Sequence, residues 1–451
     1  MSSNTPNPHS GEQTRTARPA TGAWFTLPYR EAFGQWWDAV SPAAAEAKVL
    51  SFLPFNQPGP ATDVNHPHSI KTSPNDPHGQ RKATSSMVQL SGKDRILNEF
   101  NITRVGEEVK EDIVMLHGYG AGLGFFYKNY DGLSSLPNWR LWALDLLGYG
   151  RSSRPPYIIH SKDPVQKVRE AEDWFIDALE EWRIKRGLDQ FTLMGHSLGG
   201  YLAVCYALKY PGHLKKLILA SPAGIPEDPY AVNNTEALKS DPPSDSAPQT
   251  FQDQDTPTTP PPRRPLPKWL TYLWDANFSP FNFVRWSGPL GPRFVSGWTS
   301  RRFGNLPKEE AEALHTYAYS LFRQRGSGEY ALPYILAPGA FARDPLVRRI
   351  HKLGTLGVPT VLMYGDMDWM DVAGGYASEH AIRSTRIEDP TMQKWATDVK
   401  GEAKVLVVRN SGHHLYVDNW REFNEMVRGE MRDVERRSER FFKMGLRAGG
   451  Q

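Results

Sequence analysis

Residues 191–211 read "FTLMGHSLGGYLAVCYALKYP", and this stretch decides the fold. The opening "FTLM" reads as a short strand. A glycine-rich turn follows, and "YLAVCYALKYP" then reads as a helix. The turn matches G-x-S-x-G, with Ser197 between Gly195 and Gly199. A serine at that place sits on a strained turn, where side chains two residues away on either side would collide. The following helix points its N-terminus at the serine. Strand, turn and helix in this order make Ser197 the expected nucleophile.

The same alternation runs outward in both directions. "VMLHGYG" (114–120), "LWALDLLGYG" (141–150), "KKLILASPAG" (215–224), "PTVLMYGDMD" (359–368) and "AKVLVVRNSGHH" (403–414) each read as an apolar strand, and 164–186 reads as a helix. Strands that alternate with helices imply βαβ units. The expected fold is therefore α/β, with a mainly parallel central sheet and helices on both faces.

Composition divides the chain further. Residues 1–22 read as a disordered tail or a transit-like segment, because 1–30 hold Arg15, Arg18 and Arg30 against one acid, Glu12, among serines and threonines. Residues 23–55 are aromatic-rich and helical, with Trp24, Phe25, Tyr29, Phe33, Trp36 and Trp37; they either pack on the domain or anchor at a membrane–water boundary. Residues 56–86 read as a linker and 87–225 as the first part of the core. The Pro-, Asp-, Ser- and Thr-rich stretch 226–267 reads as a disordered surface insertion. Residues 268–350 form a lid, 351–435 the second part of the core, and 436–451 a tail.

Three further motifs carry chemistry. "HGYG" (117–120) closes a strand where one oxyanion-hole N–H is expected, and the residue after the nucleophile supplies the other. These are the backbone amides of Tyr119 and Leu198. The acid should follow the strand that ends in "YGDMDWMD" (364–371), which offers Asp366, Asp368 and Asp371; Asp368 fits a G-x-x-D spacing and Asp366 is the second choice. The base should follow the last strand, in "NSGHHLYVDNW" (410–420), where His413 takes the loop position and His414 packs or caps the next helix. His413 and Asp418 also fit the H-x-x-x-x-D pattern of glycerolipid acyltransferases. A Ser–Asp–His set in chain order, each member at a strand end, explains His413 without it, and Asp418 then caps the terminal helix or supports the loop.

Bulk properties exclude other classes. A net charge of +3 argues against a general nucleic-acid role, and a single cysteine excludes an intramolecular disulfide framework and multi-cysteine metal sites. No metal or organic cofactor is expected. Cys205, in "YLAVCYAL", reads as core packing. No stretch approaches the ~18–20 apolar residues of a membrane span, so any membrane contact is peripheral. Residues 276–308 contain no Asp or Glu but carry Arg285, Arg293, Arg301, Arg302 and Lys308 among seven aromatics that include Trp298. Basic residues attract anionic headgroups at about 1 kcal/mol each near a surface. Arg285, Arg293, Trp298, Arg301 and Arg302 are therefore the candidate lipid-binding residues, with half of the aromatics packing as lid core.

With these residues assembled, "HGYGAGLGFFYKNYDGL", "ALDLLGYGRSSRP", "GHSLGGYLAVCYALKYP", "WDANFSPFNFVRWSGPLGPRFVSGWTSRRF" and "GHHLYVDN" make the chain resemble the α/β-hydrolase-domain four-and-five group. The resemblance covers roughly residues 42–435 outside 226–267. It implies the α/β-hydrolase fold with an inserted helical lid and a phospholipid substrate. A coactivator branch of that group lacks the nucleophile serine; Ser197 is present here, which implies a catalytic member. The insertion and N-terminal extension resemble fungal members, and thereby the cardiolipin deacylases. The expectation is a phospholipase A-type ester hydrolase that converts cardiolipin to monolysocardiolipin at a mitochondrial membrane surface, with lipid droplet or cytoplasm as alternative locations. Its rivals are a lysophosphatidic acid acyltransferase that uses His413 and Asp418, and a non-catalytic lipase regulator.

Overall fold

The computed structural model describes residues 26–57, 69–72, 76–227, 268–388 and 399–448. Among them ten strands form one sheet: β1 Asn56–Gln57, β2 Ser69–Thr72, β3 Arg81–Gln89, β4 Ile96–Arg104, β5 Glu111–Leu116, β6 Trp139–Leu144, β7 Phe191–His196, β8 Leu214–Ala220, β9 Thr360–Gly365 and β10 Ala403–Val408. The order across the sheet is β1-β2-β3-β4-β6-β5-β7-β8-β9-β10. From β6 to β10 every neighbouring pair is parallel. From β1 to the β4–β6 pair every neighbour is antiparallel.

Parallel strands covered on both faces lose their polar alternation, and every residue of β7 and β9 is buried. The side-chain period of two still sorts them by face. In β5, Val114 and Leu116 join a core with Phe175, Trp182 and Tyr206, whereas Ile113 and Met115 join a second core with Phe100, Tyr130 and Phe423. Helices Pro164–Arg186 and Leu198–Lys209 supply the first core; helices Tyr127–Leu133 and Trp420–Ala448 supply the second.

Two boundaries differ from the sequence reading. The segment expected as a linker, 56–86, contains β1, β2 and the start of β3. Its Arg81 is buried rather than solvated: the guanidinium meets Asp76 at 2.6 Å, Asp131 at 2.7 Å and Ser134 Oγ at 2.9 Å, and lies 4.1 Å from the Phe55 ring centroid. A buried cation persists only when paired and hydrogen-bonded in this way. The tail expected from 436 is instead the end of helix Trp420–Ala448, where Arg437 bonds Asp433 at 2.6 Å and Glu402 at 2.8 Å. The expected N-terminal tail 1–22, and all of the expected insertion after Glu227, lie outside the described residues.

The segment between β8 and β9 includes the helices Lys268–Asp275, Phe281–Trp286, Gly291–Phe303 and Lys308–Phe322. They stand over the C-terminal ends of the parallel strands. The N-terminal helices brace them. Helix Tyr29–Asp38 packs on Gly291–Phe303, where Leu27 N–H donates to Ser296 Oγ at 3.2 Å. His315 links Thr299 and Gln35, each at 2.9 Å. Helix Pro42–Leu50 starts with proline behind a Ser41 cap, whose Oγ accepts from Ala44 N–H at 3.2 Å, and packs on Lys308–Phe322. Tyr29, Phe33, Trp37, Trp269, Tyr272, Phe283, Trp286 and Phe294 remain exposed on this side. Among the described residues no helix is long and apolar enough to cross a membrane.

Candidate active site

Open α/β sheets place ligands beyond the carboxyl ends of their strands, and the candidate residues gather there. Ser197 follows β7 with φ 53° and ψ −115°, a backbone conformation that a non-glycine residue rarely adopts. The turn closes only because its neighbours lack side chains. A Cβ at Gly195 would lie 2.3 Å from the Gly199 carbonyl oxygen, and one at Gly199 would lie 2.6 Å from that of His117. The strain exposes Ser197 at the head of helix Leu198–Lys209.

His413 comes from the loop after β10 and is 6% exposed. Its Nε2 stands 3.1 Å from Ser197 Oγ, and its Nδ1 stands 3.3 Å from Asp368 Oδ1 in the turn after β9. The His196 ring donates to the His413 carbonyl at 2.9 Å, and Trp369 packs on the His413 ring with centroids 4.9 Å apart. The other acids of these loops hold backbone. Asp366 accepts from Asn410 N–H and Ser411 N–H, both at 2.9 Å, and Asp418 accepts from Gly412 N–H at 2.9 Å. Burial works to raise the Asp368 pKa. Hydrogen bonds from His413, Met370 N–H and Ser221 outweigh it and hold the carboxyl below its ordinary range.

Sequence reasoning missed Ser221. Its hydroxyl donates to Asp368 Oδ2 and lies 2.7 Å from His413 Nδ1, so it bridges acid and imidazole more closely than they meet each other. Ser221 is fully buried, with φ 47°. A signal existed: Ser221 immediately follows β8, and β8 lies between the strand of Ser197 and the strand of Asp368.

The "HGYG" loop is held by His117. Its Nδ1–H donates to the Gly118 carbonyl at 2.7 Å, and its Nε2 accepts from Leu146 N–H at 3.0 Å. Burial pushes the His117 pKa down, which keeps this neutral donor–acceptor form. Gly118 approaches Ser197 so closely that a Cβ there would lie 3.0 Å from Ser197 Cβ. Tyr119 stacks on Phe281 of the lid, centroids 5.1 Å apart.

A cavity of about 410 Å³ lies above Ser197 and His413 and is lined by Tyr119, Leu198, Trp298 and Arg302 as well. The other candidate arginines part company. Arg285 must be removed from the lipid-binding set: its guanidinium meets Glu329 at 2.6 and 2.8 Å and the Gln324 carbonyl at 2.6 Å. The stretch around it is free of acids, but the fold brings a buried acid from Glu329. Arg293 donates to the Leu27 carbonyl at 3.1 Å, and Arg301 is exposed on the lid. Chemically, the arrangement offers an acceptor to the Ser197 proton at His413 Nε2 and an acid behind Nδ1. No described cluster of His, Cys, Asp and Glu could hold a metal ion.

Residues 113–254 match the family described as the alpha/beta hydrolase fold. The chain is 34% identical over 343 residues to a probable 1-acylglycerol-3-phosphate O-acyltransferase of Oryza sativa subsp. japonica, which covers 75% of this chain and 70% of that one. It is 31% identical to the Homo sapiens 1-acylglycerol-3-phosphate O-acyltransferase ABHD5, over 71% of this chain and 77% of that protein. It is 30% identical to the Homo sapiens (lyso)-N-acylphosphatidylethanolamine lipase, over 77% of this chain and 86% of that protein.

Proposed function

The chain belongs to the α/β-hydrolase family, in the group with ABHD5 and (lyso)-N-acylphosphatidylethanolamine lipase, and we propose that it is a serine-dependent hydrolase of phospholipid acyl esters. The observation that carries this is the 3.1 Å approach of His413 Nε2 to Ser197 Oγ on the floor of a mainly apolar cavity. His413 takes the Ser197 proton as Oγ bonds to the ester carbonyl carbon. The amides of Tyr119 and Leu198 hold the oxyanion. The carbon–oxygen bond to the glycerol breaks, and the leaving oxygen takes the proton from His413. Water, deprotonated by His413, then attacks the acyl-enzyme; fatty acid leaves and Ser197 regains its proton. The exposed aromatics of helix Tyr29–Asp38 and of the lid support action at a lipid surface. Cardiolipin as substrate is the narrowest form of the proposal.

The names of the rice and ABHD5 relatives favour a second reading, acyl transfer to 1-acylglycerol 3-phosphate. Against it, the Asp418 carboxylate holds the Gly412 amide, while His413 turns to Ser197, Ser221 and Asp368. The pure protein, given cardiolipin or phosphatidylcholine vesicles, is expected to release fatty acid and lysophospholipid. Given acyl-CoA and lysophosphatidic acid, it is expected to form little phosphatidic acid. The reverse pattern would replace hydrolysis by transfer.

Ser221 belongs to the same proposal as a positioning residue. Its hydroxyl accepts the His413 Nδ1 proton and so leaves Nε2 bare toward Ser197. Ser221→Ala removes one hydrogen bond to a charged group, worth about 1.5 kcal/mol, or roughly tenfold in rate. The loss should fall on kcat with KM nearly unchanged. An unchanged kcat would show that the hydroxyl merely fills space.

A further inference from the structure

In the hydrolysis proposed for Ser197, three groups surround the ester carbon. The carbonyl oxygen points to the Tyr119 and Leu198 amides, and the leaving oxygen must reach His413 Nε2. Tyr119 belongs to the loop after β5, and His413 to the loop after β10. The acyl chain is left with the cavity wall beside β8, the strand next to β7 on the side away from β5. That wall is Ala223, from the loop after β8, with Trp274, Leu332, Leu336 and Ala340. None of these side chains ionises. The ionisable side chains that line the cavity, Tyr119, His196, Arg302, His413 and His414, come from other elements.

The wall is braced. Residues 336–342 form a hairpin: Leu336 and Ala342 pair antiparallel, Ala337 N–H donates to the Phe341 carbonyl at 2.8 Å, and Gly339 and Ala340 turn the chain with φ 94° and 64°. The hairpin is seated on Gly224, whose N–H donates to the Ala340 carbonyl at 3.0 Å; a Cβ on Gly224 would lie 2.8 Å from that of Ala342. Trp274 Nε1–H is bonded within the wall, to the Leu336 carbonyl at 2.8 Å. Trp274 and Ala340 pack on the core that contains Ala223, Leu332 and Leu336. A polar headgroup brought here would lose water with no side-chain partner to replace it, whereas an alkyl chain gains by leaving water.

We propose that this wall is the acyl-chain subsite, and that Ala340 sets the length of chain it accepts. The inference rests on ester hydrolysis at Ser197 and names what that site selects. Ala340 carries a single methyl group at the turn of a hairpin fixed to Gly224, so a longer side chain there must enter the path of the substrate. Its φ of 64° disfavours a residue branched at Cβ. Methionine is unbranched and flexible, and adds three heavy atoms beyond Cβ. It should therefore displace about three methylenes of a long chain. Burial of a methylene is worth about 0.8 kcal/mol, or roughly fourfold in kcat/KM.

The test measures kcat/KM on p-nitrophenyl butyrate and p-nitrophenyl laurate, each in neutral-detergent micelles, for the parent, Ala340→Met, Trp274→Ala and Trp298→Ala. The two esters share a leaving group, so their ratio reads the acyl side alone. Labelling of Ser197 by a fluorophosphonate reports whether the nucleophile survives in each variant. Ala340→Met is expected to lower the laurate-to-butyrate ratio about ten- to sixtyfold and to keep butyrate within about threefold of the parent. Trp274→Ala strips one side of the wall and should lower the same ratio by a smaller factor, which decides the matter if the methionine variant does not fold. Trp298 lines the cavity from helix Gly291–Phe303 instead. A ratio that holds in both wall variants with labelling intact, or that responds to Trp298→Ala in their place, would put the chain elsewhere and overturn the subsite. A parent that is neither labelled nor active on either ester would sink the hydrolase reading itself.

Discussion

Ser197→Ala is expected to lower ester hydrolysis by a factor on the order of 10⁶, as loss of a triad serine does in subtilisin. The reasoning is local. The hydroxyl is the atom that bonds to the carbonyl carbon, and alanine leaves nothing at that place but a methyl group. The amides of Tyr119 and Leu198 and the cavity survive the change, so a residual acceleration on the order of 10³ over water should remain. The fold should be untouched, because among the described residues the serine side chain bonds only His413 and alanine meets the same φ of 53° with no larger Cβ. Fatty-acid release from phospholipid vesicles, with a melting curve of the same sample, reads both. Activity within about tenfold of the parent would remove Ser197 from the reaction and leave acyl transfer as the surviving reading.

What the sequence made legible follows from where information is local. The Ser197 turn, the "HGYG" loop and the strands behind them are written in contiguous residues. Glycines are needed where backbones touch, and apolar runs are needed where both sheet faces are covered. His413 was legible for the same reason, since it follows the run "VLVV" of β10. What stayed hidden depends on partners distant in the chain. β3 looked like linker because "RKATSS" is polar, yet its Arg81 enters the core once Asp131, fifty residues on, completes its bonds. Glu46 of an N-terminal helix is fully buried, with its pKa pushed up to about 7 by burial even though Arg151, at 2.6 Å, works against this. Arg285 looked like a headgroup ligand until Glu329 arrived beside it. Ser221 is an ordinary serine in "ASPAG"; only the strand order places it between Ser197 and Asp368. The placement of the adjacent histidines was half legible. The loop position put His413 beside Ser197, but no pattern told that His414 would line the same cavity.

The histidines and the two aspartates around them give the second large effect. His413→Ala should match Ser197→Ala, and the double variant should lose little more, because residues that act as one unit are strongly non-additive. Asp368→Asn should cost a factor on the order of 10⁴, since an amide that donates to Nδ1 favours the wrong imidazole tautomer. Asp418→Asn should cost far less. Its amide oxygen can still accept from Gly412 N–H, a bond that the carboxylate makes here. This contrast separates the two readings of "GHHLYVD". An acyltransferase dyad needs the Asp418 charge and is indifferent to Asp368 and Ser197. A hydrolase built on Ser197 needs Asp368, with its depressed pKa, and tolerates a neutral residue at 418. Rates of fatty-acid release for the four single variants and the double, on one phospholipid at one pH, are sufficient to decide. If Asp418→Asn is inactive and folded while Asp368→Asn works, His413 serves the dyad, and the geometry around Ser197 has no part in the reaction.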